Sequence, residues 1–371
     1  MKKKIWMMLL CGTLVCLPLG GCGTNRADAD KGSIQSEAAS EYKTTKNSNA
    51  EYTSEVFAMD TYMTLTAYGE NAKEAVEAGI AEIQRLDALL STGDANSEVA
   101  QINQNGGGTL SEDTDYLVKR ALAIYQSTQG AFDISIYPVM QLWGFTTGDF
   151  AVPSKEDLAA KLALVNAGRI SLTEDNGVSS ITLPEGMEID LGGIAKGYTS
   201  GRVMEVMKRY GIESAVINLG GNAHVLGSKT DGSAWKVGIQ DPNDTNGYLG
   251  GVSVRDKAII TSGGYERYFV DEATGVKYHH IIDPKTGYSA NNGLISVTIV
   301  SADSTLADGL STSLFVLGTE DAIAYCEQYC VEDGFDAIME DEDGKLYITD
   351  GIMDDFINMN NTTNIQEIKT K

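Results

Sequence analysis

Residues 190–198 read DLGGIAKGY. Two adjacent glycines are followed by a lysine and then a third glycine. Glycine lets a backbone approach a ligand closely, and amides at the start of a helix can face an anion. Lys196 would add a point charge within about the first turn. The spacing fits neither G-x-x-x-x-G-K-[ST] nor G-x-G-x-x-G, so this is neither a Walker A loop nor a dinucleotide fingerprint. Taken alone, the stretch reads equally well as a strand-to-helix turn with an exposed lysine.

Its surroundings set the fold. Short strands precede it at 170–172 and 181–183, and a helix follows from Thr199 to Tyr210, ending at Gly211. Ala215–Leu219 is a strand leading into Gly220-Gly221. Further strands are expected at 235–239, 252–261, 267–270 and 294–301. Upstream, Met63-Thr64-Leu65-Thr66-Ala67 alternates as a strand. Val76, Ile80, Ile83, Leu86 and Leu90 share one helical face over 72–90. Another helix is expected over 113–128, and a capping box at Ser154 starts one running to Val165. Downstream, a helix runs from Thr305 to Leu317, and Thr319 caps the next, to Tyr329. Strands at 335–340 and 345–349 close a hairpin over Asp343-Gly344. Hairpins without regular βαβ alternation point to α+β, with mixed, mostly antiparallel sheets packed with helices.

The N-terminus reads MKKKIWMMLLCGTLVCLPLGGCG. A basic start, a short apolar run and small residues at a cleavage point form an export signal over 1–21. The run is shorter than the roughly 20 apolar residues a spanning helix needs. Leu19-Gly20-Gly21-Cys22 resembles a bacterial lipobox, which makes Cys22 the lipidated first residue. Residues 22–50 are polar and lack apolar periodicity, as in a flexible tether. A folded domain over 51–358 and a polar tail at 359–371 complete the chain. The expected location is the membrane surface, facing the extracytoplasmic side.

The net charge is −24, which excludes nucleic acid as a natural partner. An anionic ligand needs local help from amides, a lysine or a metal ion. Cys326 and Cys330 are spaced i,i+4 and read as either a reduced pair or a bridge.

Three more stretches carry chemical groups. Asp308 and Thr312 share a helical face, and a carboxylate with a hydroxyl suits Mg²⁺; equally, they suit a helix start and a back-bonded Thr. His279 and His280 precede Ile282-Asp283-Pro284-Lys285-Thr286-Gly287, which is turn chemistry. As strand neighbours they face opposite ways, so one of them serves any given site. Phe132 and Trp143 are aromatics that either stack on a flat ring or fill the core. No G-x-S-x-G elbow supports a serine hydrolase.

In this order, these stretches resemble the ApbE family, the FAD:protein FMN transferases. The resemblance runs from about Val56 to Ile348. It includes Met59-Asp60-Thr61, LLSTGDANSEVAQIN (89–103), GAFDISIYPVMQLWGF (130–145), DLGGIAKGY, INLGGN (217–222), TSGGYERYF (261–269), HHIIDPKTG (279–287) and ADGLSTSLFVLG (307–318). It implies an ApbE-like flavin transferase fold, FAD as substrate, Mg²⁺ as cofactor, release of AMP, and FMN attached by a phosphoester to Ser or Thr of an acceptor flavoprotein. Such acceptors are subunits or FMN-binding domains of extracytoplasmic redox proteins.

The resemblance also implies roles for residues. Met59, Ala131, Phe132, Asp133, Asp190, Lys196 and Ile282 contact FAD. Asp308, Thr312 and the Gly193 carbonyl hold the metal, with Ser311 a secondary candidate. His280 is the expected base, Asp283 orients it or the acceptor, and Lys196 steadies the phosphates. Two positions depart from the family pattern. Gly93 stands where an aromatic often lines the flavin, with Tyr62 a possible substitute, and Asp60 stands where glycine is usual. An FAD pyrophosphatase and a non-enzymatic flavin-binding lipoprotein are the alternative readings.

Overall fold

The computed structural model describes residues 50–244, 246–360 and 362–371. The expected export signal, the expected lipidation of Cys22 and the expected tether up to residue 49 lie outside the described residues.

The first hairpin shows how the main sheet is set. Strands Glu51–Ala58 and Thr61–Tyr68 pair antiparallel, with Ala58 opposite Thr61. Only Met59 and Asp60 link them, with φ of +48° and +59°. Two positive φ values in a two-residue loop match the right-handed twist of the strands, and Asp tolerates this region better than most residues. Met63, Leu65 and Ala67 alternate inward and are fully buried. Burying a leucine such as Leu65 stabilises the fold by about 2 kcal/mol.

Nine strands form one sheet. Their spatial order follows the chain: Glu51–Ala58, Thr61–Tyr68, Ser214–Leu219, Asn222–Gly227, Ala258–Gly263, Leu294–Ser301, Phe335–Asp341, Leu346–Thr349 and Ile365–Ile368. Neighbours are antiparallel except the last two, which run parallel. Between the second and third of these strands the chain inserts six helices: α1 (Ala72–Leu90), α2 (Glu98–Asn105), α3 (Glu112–Ser127), α4 (Tyr137–Trp143), α5 (Lys155–Leu162) and α6 (Gly192–Arg209). Two more, α7 (Ser304–Leu317) and α8 (Thr319–Asp333), are inserted between the sixth and seventh strands.

The α+β class is borne out. One apolar cluster joins α3, α6, α7 and α8 to the sheet, and a second joins α1 and α6 to the first strands. A third lies between the sheet and the strands Trp235–Gln240 and Tyr248–Val254. Among the described residues, no helix is long and apolar enough to cross a membrane.

Four expectations are corrected. The run 252–261 is two strands in different sheets, Tyr248–Val254 and Ala258–Gly263, separated by a turn at Asp256 with φ +49°. Thr319 is the first residue of α8; the capping position is Gly318, which has no side chain for the purpose. Helix α6 begins at Gly192, seven residues before Thr199. The polar tail contributes strand Ile365–Ile368, which pairs with Leu346–Thr349 and buries Ile368. Cys326 and Cys330 are buried and unbridged on α8, where each holds the other's thiol and burial adds to the effect, raising the Cys330 pKa.

Gly197 determines how α6 meets α7. A Cβ there would lie 2.2 Å from the Ser304 carbonyl and 2.5 Å from the Asp308 Cβ. The two helices therefore cross at backbone distance, which brings the Asp308 carboxylate to the Gly197 N–H at 2.7 Å.

Candidate active site

Helices α6 and α7, the sheet and the loops after α3 and α4 enclose a cavity of about 510 Å³. That size is typical of a cofactor or small-molecule site. Met59, Ala131, Phe132, Asp133, Asp190, Gly193, Lys196, His280, Ile282, Asp308 and Thr312 all line it. These positions span some 250 residues of sequence, and the fold brings them together around one void.

Lys196 lies at the centre of the charges. Burial raises the pKa values of Asp190, Glu266 and Asp308, and Lys196 opposes that rise in each; with burial and Arg267 it also lowers that of His280. Among the described residues it has no ion pair within 4.0 Å, so its ammonium remains available to an anion.

Asp308 is buried, and burial raises its pKa against the opposing pull of Lys196 and its hydrogen bonds. Its oxygens accept from the Gly197 N–H and, at 3.3 Å, from the Asn222 amide. In a regular helix the Gly197 N–H serves the Gly193 carbonyl. Its bond to Asp308 puts the Gly193 oxygen in competition for that donor. Thr312 lies one turn on, 3.3 Å from the Ser262 hydroxyl.

Among the described residues no group of three or more His, Cys, Asp or Glu is arranged to hold a metal. An ion here would have one protein carboxylate and neutral oxygens, completed by water and phosphate. That donor set fits Mg²⁺. Ser311 does not line the cavity. It is fully buried and donates to the Asp308 carbonyl at 2.9 Å, so it braces the helix instead of offering a ligand.

His280 has a defined tautomer. Its Nδ1 lies 3.1 Å from the Arg267 carbonyl, which can only accept. Nδ1 therefore carries the proton and Nε2 keeps the lone pair. Burial, Arg267 and Lys196 lower its pKa to about 3, so the ring is neutral at ordinary pH.

Asp283 is corrected. Its Oδ1 accepts from the Lys285 N–H at 2.8 Å within the turn. It does not line this cavity, and the Arg267 carbonyl takes the orienting place beside His280. His279 is structural: its Nε2 meets the Ala290 carbonyl at 2.9 Å, and its ring packs edge-on to Phe315.

The remaining expected contacts differ in kind. Phe132 lines the cavity, with its ring against Gly193, where a Cβ would be 3.0 Å away. Asp133 lines it too, yet its oxygens are engaged by Ser135 and by the Ala167 N–H. Asp190 accepts from the Gly192 N–H at 2.8 Å, satisfying an amide of the first turn of α6. Trp143 belongs to the core, fully buried, with its Nε1 donating to the Gly287 carbonyl. Tyr62 does not reach the cavity; it is exposed and pairs edge-on with Phe57. Gly93 lines the cavity with open space where a side chain would be.

Sequence reasoning missed Glu266 and Arg267, which also line the cavity. The Glu266 pKa is pushed up to about 7 by burial, with Asp308 adding and Lys196 opposing. The signal was a charged pair inside TSGGYERYF, a motif otherwise of small and aromatic residues. Asn222, at the end of INLGGN, was also missed.

Residues 59–339 match the family described as the ApbE family. The chain belongs to the ApbE family. A FAD:protein FMN transferase of Treponema pallidum is 32% identical over 324 residues, covering 82% of this chain and 88% of its own. One from Klebsiella pneumoniae is 38% identical over 250 residues, covering 66% and 76%. Among solved structures, an ApbE protein from Thermotoga maritima aligns with a TM-score of 0.75 at 32% identity, over 81% of this chain and 98% of its own. The flavin transferase ApbE of Vibrio cholerae aligns with a TM-score of 0.70 at 29% identity, over 81% and 97%. The expected ApbE fold and family membership are both borne out.

Proposed function

We propose that this ApbE-family chain is a Mg²⁺-dependent FAD:protein FMN transferase, moving FMN from FAD to a Ser or Thr hydroxyl and releasing AMP. The observation that carries this reading is the meeting of Lys196, the Asp308–Thr312 pair and a neutral His280 around one cavity. Phosphoryl transfer depends mainly on positioning and charge stabilisation, which this set supplies.

The acceptor oxygen bonds to the phosphorus of the FMN half of FAD. The bond from that phosphorus to the bridging oxygen breaks, and AMP departs with that oxygen. The acceptor's proton passes to Nε2 of His280, the nitrogen left with a lone pair. Lys196 holds phosphate oxygens and offsets their charge. Asp308, Thr312 and the Gly193 carbonyl would hold Mg²⁺, which when bound would supply positive charge to offset that of the pyrophosphate. Met59, Ala131, Phe132 and Ile282 would bound the nucleotide.

The acceptor would be a flavoprotein subunit or FMN-binding domain outside the cytoplasm. Cleavage before Cys22 and its lipidation would tether the enzyme where it meets such partners. Incubation with FAD, Mg²⁺ and an acceptor peptide tests the reaction by mass spectrometry. FMN on the peptide is the expected product. Free FMN with AMP and an unlabelled peptide means a pyrophosphatase, and unchanged FAD means a binder. H280A with normal FAD affinity and full transfer rate would remove His280 as the base.

A further inference from the structure

Arg267 meets His280 twice. Its carbonyl accepts from the His280 backbone N–H at 3.0 Å and faces Nδ1 at 3.1 Å. Its guanidinium donates from Nη2 to the Phe145 carbonyl. Phe145 begins the loop after α4, and its ring stands edge-on to the imidazole, with centroids 6.5 Å apart. One residue thus fixes the donor side of the ring and ties down the aromatic that flanks it.

We propose that Arg267 is the positioning residue for His280, its main chain setting the tautomer and its side chain locking the flanking loop. The proposal rests on the transferase reading for its catalytic consequence, but not for its structural content. Burial is the largest influence holding the imidazole neutral, and the charged groups facing His280 are Arg267 itself, Lys196 from α6 and the neighbouring His279.

The test uses the full chain labelled with ¹⁵N-histidine. The chain has three histidines, and H280Q assigns the resonance of interest. Wild-type His280 should be the Nδ1–H tautomer and stay neutral down to pH 5. In R267M its titration should rise by about one unit, because a like charge has gone. The Nδ1–H tautomer should persist, because the carbonyl of residue 267 is retained, while kcat for FMN transfer should fall about ten-fold or more as the Phe145 loop is released. R267K keeps the charge but lacks the fork that reaches Phe145. It should restore the titration while kcat stays low.

A wild-type His280 protonated at Nε2, or a folded R267M with unchanged His280 titration and unchanged kcat, overturns the proposal. If R267M does not fold, R267K with wild-type kcat overturns it equally. If the spectra change as expected while transfer persists, Arg267's hold on the ring stands, and it is His280's role as base that fails.

Discussion

Replacing Gly197 by alanine should pull the site apart from behind. The new Cβ would lie 2.2 Å from the Ser304 carbonyl, a backbone atom that cannot rotate away. Helices α6 and α7 must part by roughly 1 Å to restore contact distance, and such overpacking costs about 1–3 kcal/mol. Parting them also stretches the 2.7 Å bond from Gly197 N–H to Asp308, and a bond to a charged group is worth about 1.5–3 kcal/mol. Against this, alanine in a helix gains about 1 kcal/mol over glycine. The net loss is about 2–4 kcal/mol, which lowers Tm by roughly 3–6 °C in a domain of this size. Transfer should fall as well, because Asp308 moves relative to Lys196. G201A is the comparison. Its Cβ would meet only the Ser304 hydroxyl, at 2.9 Å, so its stability should change by about 1 kcal/mol or less. Thermal unfolding followed by circular dichroism and FMN transfer at 25 °C read both effects. A G197A protein that melts with wild type and transfers FMN at the normal rate would refute the close-crossing explanation.

Three other changes have defined outcomes. D308N keeps the shape but removes the charge, so transfer at saturating Mg²⁺ should drop roughly a hundred-fold; an undiminished rate removes Asp308 from the metal site. E266Q addresses pH. A folded-state pKa of about 7 against 4.5 means the folded protein binds the extra proton, so wild type loses stability as pH rises from 4.5 through 7. The Tm of E266Q should match wild type near pH 4 and exceed it increasingly toward pH 8; parallel curves would refute the shift. G93Y fills open space, the nearest atom to its Cβ being the Ser91 Oγ at 3.8 Å. If the ring reaches the flavin, the FAD Kd measured by fluorescence should fall about five-fold, and an unchanged Kd would mean that the isoalloxazine lies elsewhere.

Much of the fold can be read from periodicity. The apolar stripe of α1 and the alternation of Thr61–Tyr68 are local patterns, and they formed as local patterns should. The start of α6 was not legible, because four of its first ten residues are glycines, which argue against a helix. Gly197 is there for α7, a partner more than a hundred residues away. Similarly, Asp283 stands near His280 in sequence, but the turn it caps directs its carboxylate into its own backbone. Arg267 takes that place from just before strand Tyr268–Val270, which pairs across the hairpin with Lys277–His279. The cavity-lining residues were recovered because each sat in a recognisable motif. Glu266 and Arg267 lay within one of those motifs but were not picked out.

The chain-ordered sheet has two ends, and each is closed to strangers in a different way. Glu51–Ala58 turns Glu51, Thr53, Glu55 and Phe57 outward, with the two glutamates exposed along its rim. At the far end, all four residues of Leu346–Thr349 are buried, a strand that would be adhesive if left bare. The last strand, Ile365–Ile368, covers it and presents Gln366 and Glu367 to water. The final few residues of the chain therefore act as a seal. A protein clipped before residue 365 would keep every cavity-lining group yet expose an apolar edge ready to recruit a second copy. Solubility thus depends on how both ends of one sheet are closed.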